Sequence, residues 1–350
     1  MEIAATGRYE VRITASDVGK RVSVRRLSVP GATGERFTDT VGVLTSWDDG
    51  VLVITRRNGE SVRIAEKDLV AGKVVPAAPA RRRGPAATWE ELTRVTARAW
   101  PPVERERLGE WELRAAGGFT RRANSVLPHG DPGLPLDEAL AAVRRWYGER
   151  GLPAYLQVAT GAEGTQETLA AQLEQRGWTR EVSVEVWTGA LAPVADRSEG
   201  SEVVLSRTAD AAWRARYGRT GAGEVAERVL HARGAQSAPE VSVWCAAVPA
   251  AAPGEPPVAI GRVAVDGRWA TFSAVEVAPE QRRRGLATAV VAALARKALE
   301  EGAFAGCLQV ESDNTAARAL YAGLGFAVHH SYHHFRAPEP AERDTTGSGR

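Results

Sequence analysis

Arg282, Arg283 and Arg284 stand directly before Gly285, Leu286, Ala287 and Thr288 in a segment that reads V-E-V-A-P-E-Q-R-R-R-G-L-A over 275–287. A short apolar strand at 271–277 runs into Pro279, an arginine-rich turn closes on Gly285, and an alanine-rich helix follows at once. That order builds an anion site. The first N–H groups of a helix lack intrahelical partners, and the helix dipole favours negative charge there. Gly285 lets the main chain approach a ligand closely, Ala287 keeps the entrance narrow, and three guanidiniums add long-range attraction. The chemistry this suits is the binding of a phosphorylated ligand. There is no G-x-G-x-x-G after a strand and no G-x-x-x-x-G-K-[ST], so neither a Rossmann site nor a P-loop is supported.

A second constellation follows. Val290, Val291, Leu294 and Leu299 give the helix after the turn one apolar face, and Gly302 stops it. Gly306 to Glu311 reads as a short buried strand. Ser312, Asp313 and Asn314 then offer N-cap oxygens to a helix over 315–322, which carries Leu320 and Tyr321 and ends at Gly323-Leu-Gly-Phe326. Asn314 and Tyr321 lie two helical turns apart and project from similar sides.

The R-x-x-G-x-A pattern of Arg282 to Ala287 and the N-x-x-A-x-x-x-Y-x-x-L-G-F pattern of Asn314 to Phe326 together resemble the GNAT superfamily of acyl-CoA-dependent N-acyltransferases. The resemblance covers residues ~200–337. It implies acetyl-CoA as co-substrate, its pyrophosphate on the turn, and contacts from the Asn314 region to the pantetheine or phosphate arm. It also implies a splayed strand, whose main-chain groups at Val275 and Val277 pair with the pantetheine amides. Tyr321 would stand near the thioester sulfur and protonate the departing thiolate.

Transfer to an amine also needs a base, because a primary amine is mostly protonated near pH 7. Glu276 lies in the key strand, and by alternation it faces opposite to Val275 and Val277. If the valines face the core, Glu276 faces the cleft as a base; a carboxylate paired with a nearby arginine is the competing reading. His329, His330, His333 and His334 give only two imidazoles per strand face, with no carboxylate or cysteine beside them, so no metal is expected. One of them is an alternative base or acceptor contact. Arg121, Arg122 and Asn124 would face the acceptor groove if the two halves described below pack side by side. Trp100, Trp111, Trp146 and Trp187 read as core.

The elements that must position these residues span 350 positions, enough for two or three domains. The net charge of +2 gives no global basic field, so a dedicated nucleic-acid binder is not expected. No apolar run approaches the ~20 residues that span a bilayer, and the start lacks a signal-peptide pattern. Cys245 and Cys307 read as reduced core thiols. The expectation is a cytoplasmic protein with no membrane partner.

Residues 1–76 read as all-β, with strands at 8–13, 21–27, 40–46, 50–56 and 61–64 and tight-turn signals at Asp48-Asp-Gly50 and Asn58-Gly59. The stretch resembles an SH3-like barrel that braces the enzyme or makes a homodimer contact. Residues 77–87 are a linker by composition. Residues 88–195 then parallel 200–337. Leu156-Gln-Val158 matches Leu308-Gln-Val310, Gly177-Trp178 matches Gly325-Phe326, and both halves end in a β-rich tail. This is a degenerate internal repeat. Its first copy has Gly130-Asp-Pro-Gly-Leu-Pro-Leu in place of the arginine turn and Leu173 in place of Tyr321. Pro249 to Pro257 reads as a mobile loop, and 338–350 as a disordered tail.

The expected fold is α+β: a small all-β barrel, then two GNAT-like halves with a mixed, mostly antiparallel sheet flanked by helices. The expected activity is acetyl transfer from acetyl-CoA to a primary amine of a protein or small molecule. The alternative is a sensor that binds acyl-CoA and transfers nothing.

Overall fold

The computed structural model describes residues 11–27, 37–75, 85–197, 200–219, 223–232, 241–252 and 254–339. Most of the expected linker, including Arg81 to Arg83, and most of the expected tail lie outside these residues.

The N-terminal strands are β1 (Arg21–Leu27), β2 (Phe37–Asp48), β3 (Val51–Thr55), β4 (Ser61–Ala65) and β5 (Leu69–Val74). They form one sheet in the order β4-β3-β2-β1-β5. Alternate residues Val22 and Val24 turn inward onto Leu44, Leu52, Ile54 and Ile64. The β2–β3 turn places Asp49 and Gly50 at φ 50° and 71°, the left-handed pair that a tight hairpin needs. The sequence expects a strand at 8–13 as the fifth member. Instead Leu69–Val74 fills that place, and Val11 adds only an isolated bridge to Gly72. Gly72 is small because Ile13 packs on it: a Cβ there would lie 2.8 Å from the Ile13 side chain. Among the described residues β4 and β5 do not pair, so the barrel is open along that seam.

The rest of the chain begins with α1 (Trp89–Ala99) and the hairpin β6 (Glu104–Leu108) and β7 (Trp111–Ala115). The first half continues through α2 (Leu136–Gly148), β8 (Tyr155–Thr160), α3 (Glu167–Gln175) and β9 (Thr179–Ala190). The first half ends with α4 (Ala192–Ala195), and the second contains β10 (Val204–Ser206), α5 (Ala211–Tyr217), α6 (Gly223–Leu230), β11 (Ser242–Val248), β12 (Ala259–Asp266) and β13 (Trp269–Val277). The second half ends with α7 (Leu286–Glu300), β14 (Ala305–Glu311), α8 (Thr315–Gly323) and β15 (Ala327–Arg336).

The halves do not own separate sheets. One sheet runs β10-β11-β12-β13-β14-β9-β15-β8. β9, the last strand of the first half, inserts beside β14 of the second; β15, the last strand of the second, lies beside β8 of the first. The exchange extends into the cores. Phe335 of β15 packs with Leu140, Val143 and Tyr147 of α2. Trp187 of β9 packs with Val290, Val291 and Leu294 of α7. The repeat is preserved: Val126 bridges Leu156 in parallel, as β13 pairs with β14. After the 3-10 turn of Arg121–Ala123, the chain makes only isolated bridges at Val126 and Leu127 in place of the expected strand over 124–128.

α1 covers the other face of the sheet, against Val184, Val186, Trp269 and Tyr332. Thr88 caps it by accepting from Glu91 N–H at 3.2 Å. The turn before β4 docks on the body: Arg57 donates to His329 O at 3.3 Å, and Arg180 donates to Gly59 O. Among the described residues no helix is long and apolar enough to cross a membrane.

Candidate active site

β13 and β14 pair only from Trp269 opposite Ala305 to Phe272 opposite Leu308. β13 continues to Val277 and β14 to Glu311, so beyond Phe272 the two strands splay. A bulge adds to the divergence. Ser273 pairs with Arg262 and Glu276 with Ile260, leaving Ala274 and Val275 opposite Gly261, and Ala274 takes φ 51°. An extra residue of this kind bends its strand. The wedge opens into a cavity of about 1270 Å³. Its walls are the free edges of the two strands, the starts of α7 and α8, and the loop Gly117–Arg122 from the first half.

The arginine turn sits at one end. Arg283 and Gly285 take φ 64° and 79°, and α7 starts at Leu286. The first helical bond runs from Ala289 N–H to Gly285 O at 3.0 Å. From Arg283 to Thr288 no backbone N–H has a protein acceptor among the described residues. Successive free N–H groups across a left-handed residue make an anion-binding concavity. Arg282, Arg283, Gly285, Leu286, Ala287 and Thr288 line the cavity. Arg284 does not; its guanidinium donates to Gln281 Oε1.

Val275 and Val277 line the cavity edge and pack on the core beside α7. Glu276 also lines the cavity, half-buried. Burial raises its carboxyl pKa, against the pull of Arg219, Arg216 and Arg282. Asn314 Oδ1 accepts from Ala317 N–H at 3.0 Å and so caps α8, which leaves its amide nitrogen for a ligand. Tyr321 is buried with its ring edge-to-face on Phe326, 6.0 Å between centroids. The residue lines the cavity, its hydroxyl has no hydrogen-bond partner among the described residues, and burial raises its pKa.

The opposite wall comes from the first half, β14 and the exchanged β15. Arg121, Arg122, Gln309, Glu311, Tyr332 and His334 line it. Asn124 does not reach the cavity. It is buried and holds the loop by accepting from Ala116 and Gly118 N–H and donating to Phe119 and Thr120 O. Composition gives no signal for Gln309, Glu311 or Tyr217, which the splayed end of β14 and the end of α5 bring to the cavity.

The four histidines divide. His329 contacts His330 and Ala87 O, and His333 contacts Thr160 Oγ1 and Ser183 Oγ at 2.9 and 2.8 Å. Bulges at 328–330 and 334–335 break the simple alternation expected for the segment. Both ring nitrogens of His334 are buried and unpartnered. Trp100, Trp111, Trp146 and Trp187 are core residues as expected. Cys245 and Cys307 are free and buried, which pushes their thiols up to about 11 and about 12.

Residues 87–335 match the family described as "Probable histone acetyltransferase Rv0428c C-terminal", and 16–73 match "Rv0428c N-terminal Sm-like domain". The chain is 31% identical over 320 residues to the "Probable histone acetyltransferase Rv0428c" of Mycobacterium tuberculosis (strain ATCC 25618 / H37Rv), covering 89% of this chain and 93% of that protein. Among solved structures it is similar to a "Tandem GNAT protein from the clavulanic acid biosynthesis pathway" (TM-score 0.52, 16% identity, 73% of this chain and 90% of that one). It is also similar to a "GCN5-related N-acetyltransferase from Kribbella flavida" (TM-score 0.51, 15% identity, 71% and 96%).

Proposed function

The chain belongs to the Rv0428c family of histone acetyltransferase-like proteins and has the fold of GNAT N-acetyltransferases, and from that premise we propose that its cavity binds acetyl-CoA and delivers the acetyl group to a primary amine under the control of Tyr321 and Glu276. One observation carries the reading: Arg283 and Gly285 to Thr288 with their free amides, the unpaired edge of β13, and Tyr321 all line one cavity. The residues fit the ligand. A Cβ at Gly285 would meet nothing within 4 Å, so the approach to those amides is open on that side.

Acetyl-CoA supplies the acetyl group as a thioester. The amides of 283–288 and the guanidiniums of Arg282 and Arg283 hold its pyrophosphate. Main-chain groups of Val275 and Val277 take the pantetheine amides, with Leu286, Ala287, Thr288 and Asn314 completing the wall. A free N–H of β13 polarises the thioester carbonyl. Glu276, its carboxyl pKa raised by burial, accepts the proton that the attacking amine must lose, directly or through water. A C–N bond forms, the C–S bond breaks, and Tyr321 gives its proton to the leaving sulfur. In this reading residues 200–337 carry the chemistry, 88–195 supply the acceptor-side wall, and 1–76 brace the body. The name of the M. tuberculosis relative points to protein amines as acceptors; small amines fit the same chemistry.

Calorimetric titration with acetyl-CoA and thiol release with a panel of amines test the proposal. Tyr321→Phe is expected to lower turnover by about 10–10⁴-fold while acetyl-CoA affinity changes little, as for loss of a general acid. Unchanged turnover would remove Tyr321 from the mechanism. Binding without thiol release across the panel would favour a sensor.

A further inference from the structure

The wall opposite the arginine turn holds more hydrogen-bond donors than the protein uses. Arg122 donates to Gln309 Oε1 at 3.1 Å and lies over the Trp100 ring, 4.5 Å from its centroid. It has no carboxylate partner among the described residues. Because a guanidinium only donates, Gln309 must present its carbonyl to Arg122, and Tyr332 OH donates to the same oxygen at 3.4 Å. The Gln309 amide N–H₂ is thereby left for something else. His334 lines the same wall, 2% exposed, with neither ring nitrogen satisfied. A buried polar group in that state costs stability unless a ligand meets it.

Guanidiniums surround this wall. Arg121 pairs with Glu181 at 3.4 Å, but that carboxylate also serves Arg336 at 3.1 Å and Tyr155 OH at 2.7 Å. Behind them the buried Arg114 binds Ser125 and Gln157 and, among the described residues, no carboxylate. This group stands over β14, β9 and β15. β15 is three strand positions from β13, roughly 14 Å at the usual strand spacing. It is therefore distinct from the phosphate turn. Glu311, two residues beyond Gln309 on the same face of β14, also lines the cavity.

We propose that Arg122, Gln309 and His334 form a carboxylate-binding acceptor subsite, and that the acceptor is a small primary amine carrying a carboxylate. Arg121 adds attraction, Glu311 steadies the amine as it enters, and the carboxylate fixes which end of the acceptor faces the thioester. The inference rests on the acetyl-transfer reading and narrows its substrate.

The test is steady-state thiol release by the full chain with acetyl-CoA and matched acceptors: L-lysine, L-lysine methyl ester, cadaverine, and a lysine peptide with a blocked C-terminus. L-lysine is expected to exceed its ester and cadaverine at least tenfold in kcat/KM, mostly through KM. Arg122→Met is expected to erase that preference. Equal kcat/KM across the set, or preference for the blocked peptide, would overturn the inference and leave the transferase reading standing. If no amine releases thiol, the transferase reading fails and takes this one with it. The wild-type comparison decides even if Arg122→Met does not fold.

Discussion

Gly285 holds φ 79° and ψ 0° at the N-cap of α7, where the main chain must turn and where six consecutive amides lack partners. A side chain there strains the backbone, and a carboxylate would pair with the amides themselves. Gly285→Glu is therefore expected to weaken acetyl-CoA binding at least 100-fold in calorimetry, with the circular dichroism of the fold retained; unchanged affinity would mean that the turn holds no phosphate. Arg282, Gly285, Ala287 and Tyr321 could be picked out in sequence because their places in the turn and helices follow from chain-local order. Arg284 shows where this stops: its neighbour Gln281 takes its guanidinium, and no spacing rule reveals that. Asn124 was legible as polar but not as a brace, because its four backbone partners are set by a loop path.

Among the elements, α7 is positioned by close packing on β12. Gly261 has room only for hydrogen: a Cβ would overlap Val290 Cγ1 and lie 3.2 Å from Leu294 Cδ1. Gly261→Ala is expected to cost about 1–3 kcal/mol by overpacking and to weaken acetyl-CoA binding by shifting the start of α7. Denaturant unfolding reads the first effect, and Val290→Ala in the same chain should restore part of it. A stability unchanged by Gly261→Ala would show that the helix yields freely. The helix after the arginine turn and β14 matched their expected bounds within a residue, because apolar period and caps are local. β5 was not foreseen: its Gly72 looks like a breaker until Ile13 packs over it.

For the whole molecule, burial holds several imidazoles neutral. It lowers His330, His333 and His334 to about 3 and His129 to about 4, from 6.5. The unfolded chain therefore binds more protons than the folded one between those values, and stability must fall as pH drops below 6.5. As the pH falls to 5, the unfolded chain gains these protons more readily than the folded one, so stability drops across that range. Calorimetry should show the unfolding temperature falling steeply from pH 6.5 to 5, above the range where paired carboxylates titrate. A flat profile there would mean that these rings are charged in the folded protein.

The sequence by itself determined the arginine turn, the helix it opens, the capped helix with Tyr321, the small β-rich N-terminal unit and the repeated halves. Each is written in neighbours a few residues apart, within reach of helix period, capping and turn chemistry. Only the tertiary structure decided that the halves exchange their last strands, so that β9 and β15 carry each half's residues into the other's core. It also decided that Arg122, Gln309 and His334 meet on one wall. Alternation tells a strand which face to bury but not which neighbour to choose, and here the long-range pairing of strands made that choice.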